Sequence, residues 1–286
     1  MQDISYIRLE FNTKKLELKK SVIRIYPLPC LHVGAPQSDA KFIQDHIARI
    51  AADPNARWVY MGDGGECVIT ASKGDIYSQI LNPQQQVDLL VHLLKPIKNK
   101  GLFGIRGNHG NRIYKQTGLS FDKTVCLQLG IPYMGVNCFA NIIVNRSSYD
   151  AYFHHGVDSG VSITSKINKA EAFTKFIDVD AFFTAHSHVC IDIPPSHILT
   201  CDNHVKQVKI KLRHQYICGC GYDSRTGYAS EKGYPPLLPA FLSVEFSGSI
   251  NTGKIQRQQS SQIFRSDGQH AVSGVYSWMP PLEVSI

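Results

Sequence analysis

The sequence has no apolar run approaching the ~20 residues that a bilayer-spanning helix needs, so no membrane-spanning segment and no membrane partner are expected. It shows no internal repeat and no low-complexity tract, and its N-terminal MQDISYIRLEF alternates like a strand instead of reading as a signal peptide. Its eight cysteines include no CxxC pair. That argues against a zinc-finger scaffold, and without an export signal it points to reduced thiols in a cytosol. Cys218-Gly-Cys220 is the only close pair and matches no standard zinc or redox spacing.

What is present is an ordinary globular composition with an unusual supply of imidazole. The 286 residues are 43% hydrophobic and 10% aromatic, enough for a packed core. The net charge of +7 mildly favours an anionic partner, and several of the 12 histidines sit in pairs or beside glycine. Alternation predicts strands at ISYIRLEF and LELKKSVIRIYPL within residues 4–29, followed at once by Cys30 and His32. Asp39 can cap a helix over 39–51 with Phe42, Ile43, Ile47 and Ile50 on one face. A short strand at 57–61 ends at Gly62-Asp63-Gly64. Asn82-Pro83 opens a helix that buries Val87, Leu90, Val91 and Leu94. Leu102, Phe103 and Ile105 form a short buried strand that breaks into a glycine-bounded turn carrying Asn108 and His109.

A helix at 120–129, strands FANIIV and YDAYF, a helix near 164–177 and a strand at 180–184 follow. The YDAYF strand ends at His154-His155 and the last at His186-Ser187-His188. Beyond 189 the chain turns β-rich, with an alternating strand at 208–213, a Gly/Tyr/Pro-rich loop at 221–236 and a strand at 240–246. The pattern is an α/β chain whose chemistry sits at strand ends.

Five strand ends carry metal-type side chains: Cys30/His32, Asp63, Asn108/His109, His154/His155 and His186/His188. Each has a plain structural explanation, since Asp after Gly suits a turn and a strand-end histidine is usually just hydrogen-bonded. Five in one chain point to a metal site.

This series resembles the calcineurin-like metallophosphoesterase superfamily, whose motifs run Asp-x-His, Gly-Asp, Gly-Asn-His, a lone His and Gly-His-x-His. PCLHVG, MGDGGE, RGNHG, FHHG and TAHSHV are similar to them in order and span residues 30–188. GYASEKGYPP with AFLSVEF is similar to the tail of phage and prophage members, which would place the chain in a host cytoplasm. The resemblance implies one domain over 1–286, with a motif core at 22–190 and a β-rich part at 191–286 completing the second sheet. The implied fold is a four-layer α/β/β/α sandwich of two mixed sheets, with two divalent cations at its rim.

By the same resemblance Asp63 bridges the cations. His32 and His188 hold one together with position 30, and Asn108, His186 and His154 hold the other. His109 donates a proton and Arg106 contacts phosphate. Two cations roughly 4 Å apart clamp the attacking and leaving oxygens and acidify a water. Manganese, zinc, iron or nickel would serve.

Three departures stand out. Cys30 replaces Asp, a softer ligand that favours zinc or iron. Gly110 stands where an acidic residue is common, leaving Asp158 or Glu66 to orient His109. Ala185 replaces Gly. An H-x-G reading takes His154 as ligand, with His155 behind it or the two roles exchanged. Lys209, Lys211 and Arg213 form a basic strand face, either solvated or a track for a nucleic-acid backbone. Tyr222, Tyr228 and Tyr234 either line a cleft or pack on the sheet. The expected function is a metal-dependent phosphoesterase acting on phosphodiesters of nucleic acid or nucleotides. One alternative is a non-catalytic module of this fold that binds nucleic acid or a protein. The other is a protein phosphatase, although Gly62–Cys67 lacks the extended Gly-Asp-x-x-Asp-Arg motif of that group.

Overall fold

The computed structural model describes residues 13–18, 21–72, 74–157, 160–202, 207–248 and 261–265. In chain order the elements are β1 (Thr13–Leu18), β2 (Val22–Leu28), α1 (Ala40–Ala52), β3 (Ala56–Tyr60), α2 (Pro83–Leu94), β4 (Gly101–Gly104), α3 (Asn108–Thr117), α4 (Phe121–Leu129) and β5 (Asn137–Val144). They continue with β6 (Ser147–His154), α5 (Ile163–Ala172), β7 (Ala181–Thr184), β8 (Cys190–Asp202), β9 (Gln207–Cys220), α6 (Gly227–Glu231), β10 (Ala240–Ser247) and β11 (Ser261–Arg265).

Local chemistry sets the helix ends. The Asp39 carboxylate accepts the Phe42 amide at the start of α1. Asn82 and Gln85 form a reciprocal capping box on α2, with Pro83 in its first turn. Ser120 caps α4, and Gly130 closes it in a left-handed conformation (φ 71°). On α2 the buried stripe includes Gln86 and Leu93, while Val91 is only partly covered. The elements not expected include α3, α6 and β11. The turn carrying Asn108 is the first turn of α3, and the late loop contains the short α6. The expected strand ISYIRLEF lies outside the described residues.

Among the described residues the strands form one mixed sheet in the order β1-β5-β6-β7-β9-β10-β2-β3-β4, with β8 added to β9 and β11 to β10. The sequence suggests two sheets, but hydrogen bonding is continuous between them. Ala240 pairs with Cys220 and Phe241 with Gly219, joining the two arms. The sheet curls, so Ile23, Ile25, Val59 and Phe103 of one arm share a core with Ala140, Ile142, Phe153 and Phe183 of the other. Phe103 and Phe153 meet edge to face at 5.2 Å. Fully burying each such side chain contributes roughly 1.5–3 kcal/mol. The other side of β2–β3 packs Tyr26, Leu28, Trp58 and Tyr60 against Ile43 and Ile47 of α1, Leu90 and Leu94 of α2 and Val125 of α4.

β2, β3 and β4 run parallel in one arm, and β6, β7 and β9 run parallel in the other. The carboxyl ends of β2, β3, β4, β6 and β7 therefore deliver residues 30–32, 61–63, 107–109, 154–155 and 185–188. Backbone bonds tie these segments together: Cys30 N–H to Gly62 O (3.0 Å), His32 N–H to Asp63 O (3.1 Å) and Ala185 N–H to His155 O (3.0 Å). No helix among the described residues is long and apolar enough to cross a membrane.

Candidate metal centre

Five of the strand-end residues adopt left-handed backbone despite carrying side chains: Cys30 (φ 50°), His32 (φ 49°), Asp63 (φ 54°), His186 (φ 65°) and His188 (φ 60°). This conformation costs about 1–3 kcal/mol per residue and persists where the surrounding structure imposes it, most often at functional sites. Here it turns the side chains back across the sheet rim toward one another.

Asp63 is at the middle. Its Oδ1 accepts the His109 amide at 2.7 Å, and its Oδ2 lies 2.9 Å from His155 Nε2. His155 Nε2 is also 3.0 Å from Asn108 Oδ1, while its Nδ1–H donates to the Met61 carbonyl at 2.6 Å. Burial by itself lowers the affinity of His155 for a proton, but the Asp63 carboxylate reverses this and raises its pKa. Burial would also raise the pKa of Asp63, yet His155 and His109 hold it well below the usual carboxylate range. A positive charge is thus favoured at the point where Asp63, Asn108 and His155 converge.

On the other side, His32 Nε2 and His188 Nε2 face each other at 3.0 Å, and His32 Nδ1 donates to Glu66 Oε2 at 2.8 Å. Burial first, then His32, His186 and His109, lower the His188 pKa well below its ordinary value. Cys30 Sγ lies within 4.8 Å of ligand atoms of both His32 and His188, and also of Asp63 and His155. Burial pushes its thiol pKa well up, with Asp63 and Cys220 adding to the effect.

This donor set fits divalent cations. His155 and His32 present Nε2 inward while Nδ1 is held by the Met61 carbonyl and the Glu66 carboxylate, the usual support of a metal-ligating histidine. Nitrogen, oxygen and sulfur donors together suit transition metals better than magnesium or calcium. His186 lies beside this group, its ring 5.4 Å from that of His155.

Two expected site residues are elsewhere. His154 leads the H-x-G reading, but its ring packs on Phe173 (4.6 Å), its Nδ1 accepts the Gly156 amide at 2.8 Å, and burial lowers its pKa to about 4. Neighbouring residues on an extended strand point to opposite faces, so only His155 faces Asp63. Arg106 bonds through its backbone to Gly135 and is not among the described residues that line the cavity. Arg112 does line it, with one guanidinium nitrogen 3.1 Å from His109 Nε2 and another 3.9 Å from Glu66. Because α3 begins at Asn108, Arg112 lies one turn beyond it on the same helix face, a juxtaposition that depends on the helix starting there.

His109 Nδ1–H donates to the Glu66 carbonyl at 2.8 Å, so Nε2 is the acceptor facing Arg112. Burial lowers the His109 pKa to about 4, opposed by Asp63. Glu66 holds both His32 and His109, whereas Asp158, the other candidate for orienting His109, lies outside the described residues.

The cluster opens into a cavity of about 870 Å³ lined by Glu66, Asn108, His109, Arg112, Lys166 and Tyr234 among others. Tyr222 also lines it, in edge contact with His32 at 5.4 Å. The side chain of Tyr228 is outside those described. On the basic strand face, Lys211 pairs with Asp178 at 2.9 Å, and Arg213 is 3.6 Å from the same carboxylate. The side chain of Lys209 also lies outside those described.

No protein-family model matches the chain, and no curated protein does. Among solved structures it is similar to several of Vps29. A single mutant of Vps29 from Entamoeba histolytica is 12% identical, covers 85% of this chain and 100% of its own, and has a TM-score of 0.41. Vacuolar protein sorting 29 from Cryptosporidium parvum is 12% identical over 86% of this chain and 100% of its own, with a TM-score of 0.39. Wild-type Vps29 complexed with zinc, from Entamoeba histolytica, is 10% identical over 84% of this chain and 99% of its own, also at 0.39.

Proposed function

We propose that the chain is a metal-dependent phosphoesterase built as a single domain, with a phosphodiester in a nucleotide or nucleic acid as substrate. The observation that carries this reading is that His155 Nε2 lies 2.9 Å from Asp63 Oδ2 and 3.0 Å from Asn108 Oδ1, and that Asn108 lines a cavity together with His109 and Arg112. Asp63, with two carboxylate oxygens, would hold a cation with either group of donors. Cys30, His32 and His188 would hold one cation, and Asn108, His155 and His186 would hold a second. Divalent manganese, zinc, iron or nickel bound there would supply Lewis-acid charge to the phosphoryl oxygens.

The chain's own residues do the remaining work. Arg112 steadies a phosphate oxygen. Glu66 orients His32 and His109. His109 carries the proton for the leaving alkoxide at Nε2, the nitrogen facing Arg112, and an anionic ester entering beside that group favours its protonated form. The cavity volume is that of a small-molecule site, which suits a nucleotide or a short single strand better than a phosphoprotein surface.

A second reading, a non-catalytic module of the same fold that docks a partner, is favoured by Cys30. Its fully buried thiol resists the deprotonation that a ligand needs. One experiment separates the two. Metal-stripped protein reloaded with Mn²⁺, Zn²⁺ or Ni²⁺ should hydrolyse bis-p-nitrophenyl phosphate, and Asp63→Asn should lose most bound metal and at least about 10²-fold in rate. Wild-type protein that stays inactive with every metal, or Asp63→Asn with full metal and full rate, would overturn the phosphoesterase reading.

A further inference from the structure

Gly110 stands where the resemblance leads one to expect an acidic side chain, and the structure shows what occupies that space. A Cβ built on Gly110 would run into the Asp122 carboxylate, which approaches from the first turn of α4. Asp122 is fully buried and belongs to none of the rim motifs, lying in α4 beyond the end of α3. Its Oδ2 accepts the Gly107 amide at 3.2 Å, and its Oδ1 accepts the Tyr60 hydroxyl at 2.7 Å. The Tyr60 oxygen in turn accepts the Gly64 amide at 3.0 Å. One continuous chain of buried hydrogen bonds therefore runs from Gly64, directly after Asp63, to Gly107, directly before Asn108 and His109.

We infer that Asp122 is the positioning carboxylate of this site, supplied from α4 in place of a side chain at position 110. With Tyr60 it fixes the turn bearing Asp63 against the turn bearing Asn108 and His109. This rests on the proposed metallophosphoesterase reading for its effect on turnover, but the brace itself is a property of the metal-free fold.

The geometry makes the brace specific. The two turns meet with almost no free space: a Cβ on Gly107 would run into Asp63, and one on Gly62 would run into the Gly107 backbone. The turns themselves supply little side-chain bulk to set their separation, so hydrogen bonds must. Asp122 offers acceptors to both sides at once, which no neutral side chain of similar size does in one rotamer. Because it lies behind the turns and is not among the described residues lining the cavity, it acts through Asn108 and His109 and does not touch substrate.

The test compares wild type, Asp122→Ala, Tyr60→Phe and the double variant Gly110→Asp/Asp122→Ala. Each is stripped by chelation, titrated with Mn²⁺ or Zn²⁺ in a calorimeter and assayed on bis-p-nitrophenyl phosphate. Asp122→Ala and Tyr60→Phe should lose 10–100-fold in metal affinity or kcat, the usual effect of removing an outer hydrogen-bond partner. KM should change by less than about twofold, because ground-state substrate contacts are untouched. In metal-free protein the His109 amide, which donates to Asp63, should exchange at least ~10-fold faster while the Phe153 amide is unchanged. The double variant, which returns a carboxylate to the same space from position 110, should recover most of the lost affinity.

Unchanged affinity, kcat and His109 exchange in both single variants would overturn the inference. So would equal acceleration at Phe153 with no recovery in the double variant, which is general destabilisation. A wild type that binds no metal removes the proposed function, whereas faster His109 exchange in Asp122→Ala still upholds the brace.

Discussion

Cys30 shows how much one residue decides here. It stands in left-handed backbone with its amide bonded to Gly62 O and its Sγ between two groups of ligand atoms. A thiolate prefers zinc or iron and bonds zinc at about 2.3 Å, longer than an oxygen ligand. Cys30→Asp should therefore shift metal preference toward Mn²⁺ with activity retained. Cys30→Ala should weaken one bound cation, the one beside His32 and His188, by about 10-fold or more. Calorimetric titration with zinc and manganese reads both effects, and identical isotherms for wild type and Cys30→Ala would show that the sulfur is only a small buried side chain. The metal-type side chains that the structure brings together, Cys30, His32, Asp63, Asn108, His155 and His188, were all named from the sequence. What was not legible is how they are held. Arg112 and Asp122 carry no motif, and Asp122 reads as an ordinary acidic residue in the first turn of a helix.

At the scale of the element, strand periodicity distinguishes the adjacent histidines whose roles the sequence left open to exchange. β6 ends at His154, whose ring lies with Phe173 on the outer side, and the next residue turns toward Met61 and Asp63. His155→Ala should strip one cation and lower the rate by about 10²-fold or more, while His154→Ala should leave metal content and rate within about twofold. Metal analysis together with the bis-p-nitrophenyl phosphate rate measures both, and the reverse pattern would restore the H-x-G reading. Helix caps at Asp39, Asn82 and Ser120 were readable because capping is local chemistry. The start of α3 was not. Gly107 makes no side-chain cap, and a Gly-Asn-His-Gly sequence reads as a turn until the helix behind it is seen.

For the whole molecule, buried histidines set the response to acid. His46 is buried among Phe42 and Phe241, and burial, with a smaller contribution from Arg49, lowers its pKa to about 3. Its folded pKa lies below the ordinary 6.5, so the unfolded chain takes up the proton first. Stability is complete above about pH 6.5 and falls as pH drops toward 3, by roughly 1.4 kcal/mol per pH unit. His154, with its pKa near 4, acts in the same direction. Tm of metal-free protein should fall between pH 6.5 and 4, and His46→Leu should flatten that slope. Parallel slopes in the two proteins would mean that His46 stays neutral in both states.

The sequence by itself determined the α/β pattern, the caps, the strand ends and the inventory of metal-type side chains, because each follows from neighbours a few residues apart. The tertiary structure alone decided that both arms join into one curled sheet through Ala240–Cys220 and Phe241–Gly219. It also decided that His155 and not His154 meets Asp63, and that a carboxylate from α4 fills the space at Gly110. Those outcomes depend on contacts between separate elements, not between neighbours a few residues apart, and packing selects them where local periodicity carries no signal.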